Sequence, residues 1–356
     1  MKKTIINTLI FTAMLGFALT QTACKKDVVE NIVEGFSPKL IVPHWGNNTV
    51  TAHVIGQSAR KQDTMSFTAN GASVNAANNG ANAIAVDTTH RFAFISFDNG
   101  NGGVVKYNFT GRKTDKPTSA NQFASIGSSL GLALNSANTS LYVAQPNRLT
   151  IFTNPHINLD QYQSCPTVPN GFLAGVAVAP NGDVWVSDYN NNCLWYYSKA
   201  SLNTPGQAVN RRIDPRIVTS SSGFNPLVSP EGLAFDNLGN LYIGNNNDGS
   251  NQTKKPITTL VKIDATQIAG VVASSTYNTP SFTTINIPNK VGNNPTGYAG
   301  QIGGLLFYNQ KLYVHDQEHS CIWVYDTTDM TKAPTYILSG DIASPGFGGM
   351  AMAWRL

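Results

Sequence analysis

The stretch SPEGLAFDNLGNLYIGN, residues 229 to 245, joins a glycine-led apolar run, a polar turn and a second apolar run. The arrangement recurs in LAGVAVAPNGDVWVSD (173 to 188), NAIAVDTTHRFAFISF (82 to 97), LGLALNSANTSLYVAQ (130 to 145) and IGGLLFYNQKLYVHD (302 to 316). Apolar runs rich in β-branched and aromatic residues and bounded by Asn, Gly and Asp predict strands. No stretch shows a sustained helical period. Repetition of such a unit indicates a repeat architecture, and the chain is predicted to be all-β.

The glycine- or alanine-led run predicts the innermost strand of each repeat. Six copies occur, at 83–87, 131–135, 174–179, 231–236, 303–308 and 348–354. The last copy, FGGMAMAW, leaves no room for a following strand, whereas residues 40–68 offer outer strands without an innermost one. We therefore predict a six-bladed β-propeller over residues 39–356, in which the C-terminal strand closes onto the N-terminal outer strands and removes exposed sheet edges.

The N-terminus has the composition of an export signal. Residues 1–23 combine a basic start with an apolar segment from Ile5 to Leu19, which is too short to span a bilayer comfortably. The order Thr22-Ala23-Cys24 resembles the lipobox of bacterial lipoproteins, which implies a lipid on Cys24 and a linker over residues 24–38. The following KKDVVE resembles lipoproteins of the Bacteroidota and implies attachment to the outer membrane or cell surface. A plain secretory signal is the alternative.

The charge and the cysteine content limit the binding partners and the disulfides that we expect for this chain. Only 12% of the residues are charged and the net charge is +4, part of it from lysines at the N-terminus, so nucleic acid is not an expected partner. Cys193 and Cys321 occupy the same place in two repeats, and we do not expect them to bond to each other. A disulfide between Cys165 and Cys193 stays open.

The repeats, above all Gly232 to Asn245 and Gly175 to Asp188, resemble the NHL and YVTN types of β-propeller repeat. More broadly, residues 40–356 resemble the six-bladed family of gluconolactonases and senescence marker protein. The resemblance implies the fold more strongly than an activity, because this fold hosts lactonases, esterases, lyases and pure binding modules.

In the gluconolactonase-like enzymes, carboxylate and amide oxygens from several blades bind a divalent metal at the channel mouth. Residue by residue, the resemblance reaches Glu231 in SPEGLAFD, as a Ca²⁺ ligand or general base, with Asn82 as a second ligand. It fails at Ala174, where the related pattern has Asn. No acidic residue stands directly before Gly349, at the corresponding position of the C-terminal repeat. The sequence therefore makes no cofactor certain, and a bound divalent metal is an open alternative.

A second group of candidates follows the second strand of each repeat. Asp188, Asn245 and Asp316 stand there, either as ligand contacts or as caps of the local turn. His315 replaces small residues found in the other repeats, and with Asp316 and His319 it could hold a transition metal or form a polar binding loop.

We expect a cell-envelope binding or interaction module for a glycan or a protein, with Tyr189 supplying an apolar face. The chain contains no G-x-S-x-G elbow and no phosphate-binding glycine loop, so nothing requires an enzyme. One alternative is a metal-dependent lactonase or ester hydrolase with Glu231 at its centre. Another is a subunit of an envelope complex that binds through the outer edge of a blade. The predicted ligand-binding rim comprises Asn82, Asp188, Tyr189, Asn245, His315, Asp316 and His319, together with Glu231.

Overall fold

The computed structural model describes residues 39–44, 49–54, 61–66, 80–98, 102–108, 122–203, 211–214, 227–246, 260–274, 280–285, 287, 302–317, 321–336 and 349–353. These residues form six four-stranded antiparallel sheets and two short helices. The predicted signal (1–23) and linker (24–38) lie outside the described residues. The predicted all-β class is confirmed as a set of antiparallel sheets with little helix.

The first three sheets follow the chain, except that the first takes its innermost strand from the C-terminus. The first sheet has the order β24-β1-β2-β3, with β1 Lys39–His44, β2 Thr49–Val54, β3 Lys61–Ser66 and β24 Ala351–Ala353. The second sheet contains β4 Ala81–Asp87, β5 Phe92–Phe97, β6 Gly103–Asn108 and β7 Gln122–Ala124. The third sheet contains β8 Leu132–Leu134, β9 Ser140–Gln145, β10 Arg148–Thr153 and β11 Tyr162–Ser164.

The other three sheets repeat this order of neighbouring strands. The fourth sheet contains β12 Leu173–Val178, β13 Val184–Asp188, β14 Cys193–Tyr197 and β15 Arg211–Ile213. The fifth sheet contains β16 Pro230–Phe235, β17 Leu241–Asn245, β18 Leu260–Ile263 and β19 Thr283–Ile285. The sixth sheet contains β20 Ile302–Tyr308, β21 Lys311–Asp316, β22 Cys321–Asp326 and β23 Thr335–Tyr336. Each predicted innermost strand overlaps an observed one.

Both faces of the central strands are buried, so their apolar runs are continuous rather than alternating. All five residues of β13 and of β14 are buried. The hydrophobic clusters of the described residues lie between successive sheets; Ile41 and Ile84, for example, belong to the cluster between the first and second sheets. Leu40 and Tyr313 belong to another cluster, between the first and sixth sheets. Burial therefore continues from the last sheet to the first.

The glycines that open two of the repeats lie where neighbouring innermost strands approach closely. A Cβ at Gly175 would lie 1.9 Å from the backbone oxygen of Glu231 in the next sheet. A Cβ at Gly131 would lie 2.4 Å from the backbone oxygen of Ala174. The second sheet has Ala83 at this position, so the repeat allows only the smallest side chains here.

The first sheet joins the two ends of the described chain. Ile41 of β1 pairs with Ala351 of β24 in antiparallel register, and the Ile84 amide donates to the Gly349 carbonyl at 3.2 Å. Strands β4, β8, β12, β16, β20 and β24 together line a cavity of about 480 Å³. Most of the side chains that line it are apolar, among them Val86, Phe235 and Phe307.

Two helices depart from the expectation that no segment is helical. Helix α1 covers Lys199–Leu202 and helix α2 covers Ala265–Ala273. Helix α2 buries Ile268 and Val271, three residues apart, so its apolar face is narrow and short. A period this brief is easily overlooked in sequence.

Among the described residues, neither helix has the length and apolar character that a membrane crossing requires.

Candidate functional site

The predicted rim residues lie where an innermost strand begins or a second strand ends. The structure places most of these side chains inside the protein rather than on an open surface. Their exposed fractions are 0% for Asn82, Asp188, Glu231, Asn245 and Asp316, and 2% for His315. None of them lines the central cavity described above. Tyr189 is the exception among the described rim residues, because it is half-buried.

Asp188 caps the turn that follows β13. Its carboxylate accepts hydrogen bonds from the backbone amides of Phe172 and Asn191, both at 3.1 Å. It also accepts from Asn191 Nδ2 and from Trp195 Nε1, both at 2.8 Å. Because it accepts hydrogen bonds from four donors of the protein, this carboxylate stabilises the local turn, as the alternative of a capping role predicted.

The contact between Asp188 and the next strand recurs in other sheets. Asp316 accepts from Trp323 Nε1 at 3.1 Å, with the same sequence separation. In the third sheet, the Thr150 hydroxyl donates to Gln145 Oε1 at 2.5 Å. These bonds tie the ends of second and third strands together.

The first sheet carries an equivalent pair that the sequence analysis did not identify. His44 ends β1, and its Nε2 is 2.7 Å from the Thr51 hydroxyl, which is also 2.7 Å from His53 Nε2. The pairing of Val42 with Thr51 matches that of Val314 with Trp323. His44 therefore occupies the equivalent position in the first sheet.

Two asparagines of the predicted rim also make structural bonds. Asn82 Nδ2 donates to the Ser129 carbonyl at 3.2 Å, and Asn245 Oδ1 accepts from the Val228 amide at 3.2 Å. The buried Asn82 Oδ1 has no hydrogen-bond partner among the described residues. It is an acceptor that a bound molecule could satisfy.

Glu231 is the most perturbed acid of the site. Its Oε1 accepts from Asn246 Nδ2 at 2.6 Å and its Oε2 accepts from Gln317 Nε2 at 3.3 Å. Burial raises the pKa of Glu231 to about 8, and the two amide hydrogen bonds only partly oppose that rise. At neutral pH the group is therefore mainly an uncharged carboxylic acid.

This environment does not fit the divalent metal that the gluconolactonase resemblance implies. Both carboxyl oxygens of Glu231 face amide N–H donors, and the described residues bring no group of three His, Cys, Asp or Glu ligands around it. Hard cations such as Ca²⁺ require six or more oxygens. As arranged, Glu231 with the distant Asn82 does not supply that set.

His315 occupies a position at which other sheets use serine to reach their neighbour. Ser96 Oγ donates to the Leu130 carbonyl at 2.6 Å, and Ser187 Oγ donates to the Glu231 carbonyl at 2.7 Å. Burial and the proximity of His44 lower the pKa of His315 to about 3. The imidazole is therefore neutral at physiological pH, and its Nε2 has no hydrogen-bond partner within the described ranges.

A partly exposed aromatic pair stands beside the Asp188 turn. The rings of Phe172 and Tyr189 meet edge to face, with centroids 5.8 Å apart at an angle of 68°. The Tyr189 amide donates to the Phe172 carbonyl at 2.9 Å, and Asn190 beside it is exposed. This is the part of the predicted rim that presents an apolar surface to solvent.

Other predictions have separate outcomes. His319 lies outside the described residues, as do parts of the two loops that follow Asp98 and Asn246. Cys165, Cys193 and Cys321 are free thiols, so the alternative of a Cys165 to Cys193 disulfide is wrong.

Sheet arrangement and comparisons agree on a β-propeller fold. Residues 171–197 match the family model for the NHL repeat, which covers β12, β13 and β14. The NHL resemblance is thus confirmed for one of the two best copies. A search of curated proteins finds no match. The resemblance to gluconolactonases is not tested by these findings and stays a prediction.

Solved structures show the same fold at low identity. A chain of a nidogen/laminin complex has a TM-score of 0.58 and 11% identity, covering 89% of this chain and 98% of that one. A functionally unknown protein from Desulfotomaculum acetoxidans DSM 771 has a TM-score of 0.52 and 11% identity, covering 88% and 98%. A catalytically inactive virginiamycin B lyase from Staphylococcus aureus with quinupristin has a TM-score of 0.48 and 9% identity, covering 88% and 93%. At these identities, the two structures with TM-scores above 0.5 show the fold alone.

Proposed function

We propose that this protein is a binding or interaction module of the cell envelope, held at the outer membrane or cell surface by a lipid on Cys24. Its six sheets act as the blades of one propeller, closed by β24. The pairing of Ile41 with Ala351 and the cluster that joins Leu40 to Tyr313 support this closure. A closed ring gives the loops a rigid base on which a preformed binding surface can be built.

The observation that carries the proposal is the partly exposed aromatic pair of Phe172 and Tyr189, on a rim whose polar side chains are mostly buried. Partly exposed aromatic rings offer a rigid apolar face together with a polar handle, which suits a sugar ring or a protein side chain. The exposed Asn190 and neighbouring Asn191 add amide groups beside the rings. The similar chain of the nidogen/laminin complex belongs to a protein complex, and for this chain we propose binding of a glycan or a protein.

An enzymatic role has less support. The perturbed acid, Glu231, is buried against amide donors, and the neutral His315 is a weak base. If the lactonase alternative were right, Glu231→Gln would abolish metal binding and lactone hydrolysis together. The binding proposal predicts that neither property depends on Glu231.

The test compares two aromatic pairs with similar centroid separations. We expect Tyr189→Ala in the purified full chain to weaken binding to a glycan array, or cross-linking to a defined envelope protein, by roughly 10-fold or more, as for other interface aromatics. Tyr162→Ala is the matched control, because Tyr162 packs on Phe152 at 5.4 Å but lies on the outer strand β11. Equal binding by both variants would contradict the proposed surface, whereas loss in the Tyr162 variant alone would favour binding at an outer blade edge.

A further inference from the structure

A second cluster of chemically capable side chains lies at the opposite ends of the strands from the rim. Asp87 ends β4 and His90 lies in the turn from β4 to β5. His156 lies between β10 and β11 of the third sheet. Folding therefore brings together groups from two neighbouring sheets.

The three side chains are within reach of one bound ion. Asp87 Oδ2 is 2.7 Å from His90 Nδ1. The imidazole rings of His90 and His156 are stacked, with centroids 4.0 Å apart and planes 6° apart. One ligand atom from each residue lies within 4.8 Å of the other two, a spacing that modest side-chain rotation converts into a coordination sphere.

Surrounding groups hold two of these ligands in place. Asp87 Oδ1 accepts hydrogen bonds from the Thr89 and His90 amides, both at 3.0 Å, and from Asn138 Nδ2 at 2.9 Å. This leaves Oδ2 on the histidine side. Metal ligands are commonly fixed by such outer hydrogen bonds.

Lys106 positions the segment that carries His156. Its ammonium group donates to the His156 and Ile157 carbonyls, at 3.2 and 3.0 Å, and lies 4.9 Å from the centre of the Phe92 ring. This positive charge opposes a bound cation, whereas the Asp87 carboxylate attracts it. The balance favours an ion that gains much of its binding energy from imidazole rather than from charge alone.

Capping of the turn accounts for the hydrogen bonds of Asp87 Oδ1, but it gives no role to His90 or His156. His156 Nδ1 is buried and has no hydrogen-bond partner in the part of the chain that the structure describes. The His90 side chain is 38% exposed, so its ring is free to turn out of the stacked arrangement toward a shared ion. Two imidazoles and one carboxylate suit zinc and its first-row neighbours, whereas Ca²⁺ and Mg²⁺ prefer oxygen ligands.

We propose that Asp87, His90 and His156 form a binding site for one first-row transition-metal dication such as Zn²⁺, which joins the second and third sheets at the face opposite the rim. The ion takes the place of the hydrogen bond between Asp87 Oδ2 and His90 Nδ1, and the neutral imidazole keeps its proton on the other ring nitrogen. Solvent completes the coordination, because the described residues supply three ligands.

The test is titration of the metal-free full chain with Co²⁺, read by its visible absorption, and then displacement by Zn²⁺. We expect one equivalent to bind the unmodified chain, with affinity falling as protons compete at lower pH. His90→Gln, His156→Gln and Asp87→Asn should each reduce affinity by roughly 100-fold or more, beyond the 10- to 100-fold typical of losing an outer partner.

His319→Gln is the control, because His319 belongs to the loop that the sequence also offered for a transition metal. Unchanged binding in the His90 and His156 variants, loss in the His319 variant instead, or no binding to the unmodified chain would each overturn the site. If a variant does not fold, the unmodified chain decides. Zn²⁺ should protect His90 and His156, but not His319, from diethyl pyrocarbonate, and failure to do so would equally overturn it.

Discussion

Glu231 and Asp87 are both fully buried acids at junctions between neighbouring sheets, yet their surroundings differ in kind. Glu231 receives two side-chain amides, from Asn246 and from Gln317 in the next sheet. Asp87 receives two backbone amides, the amide of Asn138 from the next sheet, and the imidazole of His90. Burial at the first junction favours an uncharged acid, whereas the second junction places a carboxylate beside two imidazoles.

The difference shows that membership of the repeat does not by itself determine which residues can bind an ion or take part in a reaction. Glu231 belongs to the repeat phrase and attracts attention through its motif, but burial makes it part of the packing. Asp87 stands in an ordinary turn, and its partners give it a capacity that the turn does not suggest. A buried carboxyl group acquires its role from the donors around it.

The largest expected effect comes from forcing apart the innermost strands of the fourth and fifth sheets, beside Glu231. Gly175→Val places side-chain atoms where even a Cβ would be 1.9 Å from the Glu231 carbonyl oxygen. We expect a loss of roughly 4 to 5 kcal/mol in the free energy of unfolding, measured by urea denaturation, because the strand must move. Gly270→Ala is the control, since no atom lies within 4 Å of its added Cβ and the change should stabilise helix α2 slightly. If Gly175→Val lowered the free energy of unfolding only slightly, the two innermost strands would be able to move apart at little cost.

The next effect concerns the charge of Glu231. The pKa of about 8 in the folded protein lies above the ordinary value of 4.5, so this group contributes stability that is complete below pH 4.5. That contribution is lost as pH rises toward 8, because the unfolded chain ionises first. The slope is about 1.4 kcal/mol per pH unit for one group.

Glu231→Gln keeps the shape and removes the titration. Its free energy of unfolding, measured by denaturant melts at pH 5, 6, 7 and 8, should lack the slope that the unmodified chain shows. If both proteins lose stability in parallel, Glu231 is ionised in the folded state, and the contrast with Asp87 disappears.

The repeat phrase was sufficient to predict the strands and their grouping, because each copy carries its own apolar runs and turns. The partners of Glu231 were not predictable from it, since Gln317 belongs to a different copy and meets Glu231 only after folding. The sequence did not reveal His44 as a rim residue, because β24, the innermost strand of its sheet, lies at the other end of the chain. A rim residue in the first sheet is recognised only once β24 is paired with β1.

Most of the predicted rim residues lie at strand ends, but their side chains are buried rather than exposed. Asp188 ends β13, as the repeat predicts, but its carboxylate accepts four hydrogen bonds inside the protein, which residue type alone does not reveal. The cluster of Asp87, His90 and His156 had a partial signal in the D-x-x-H spacing of the first two. His156 is distant in sequence, so the third member depends on how adjacent sheets pack.

The smallest expected effect tests the hydrogen bond that crosses the second junction. Asn138 has φ of 57°, which glycine adopts freely. Asn138→Gly therefore keeps the turn while removing the bond to Asp87 Oδ1. We expect the free energy of unfolding to fall by about 1 kcal/mol in urea melts, the usual net value of one hydrogen bond.

Asn309→Gly provides the matched control, because Asn309 also has positive φ, 49°, and lies exposed in the turn between β20 and β21. Its change should stay within about 0.5 kcal/mol. Equal effects at both sites would mean that the Asn138 bond adds nothing to the junction. A larger loss at Asn138 alone, accompanied by weaker Co²⁺ binding, would show that the same hydrogen bond both joins the two sheets and aims the Asp87 carboxylate at the histidines.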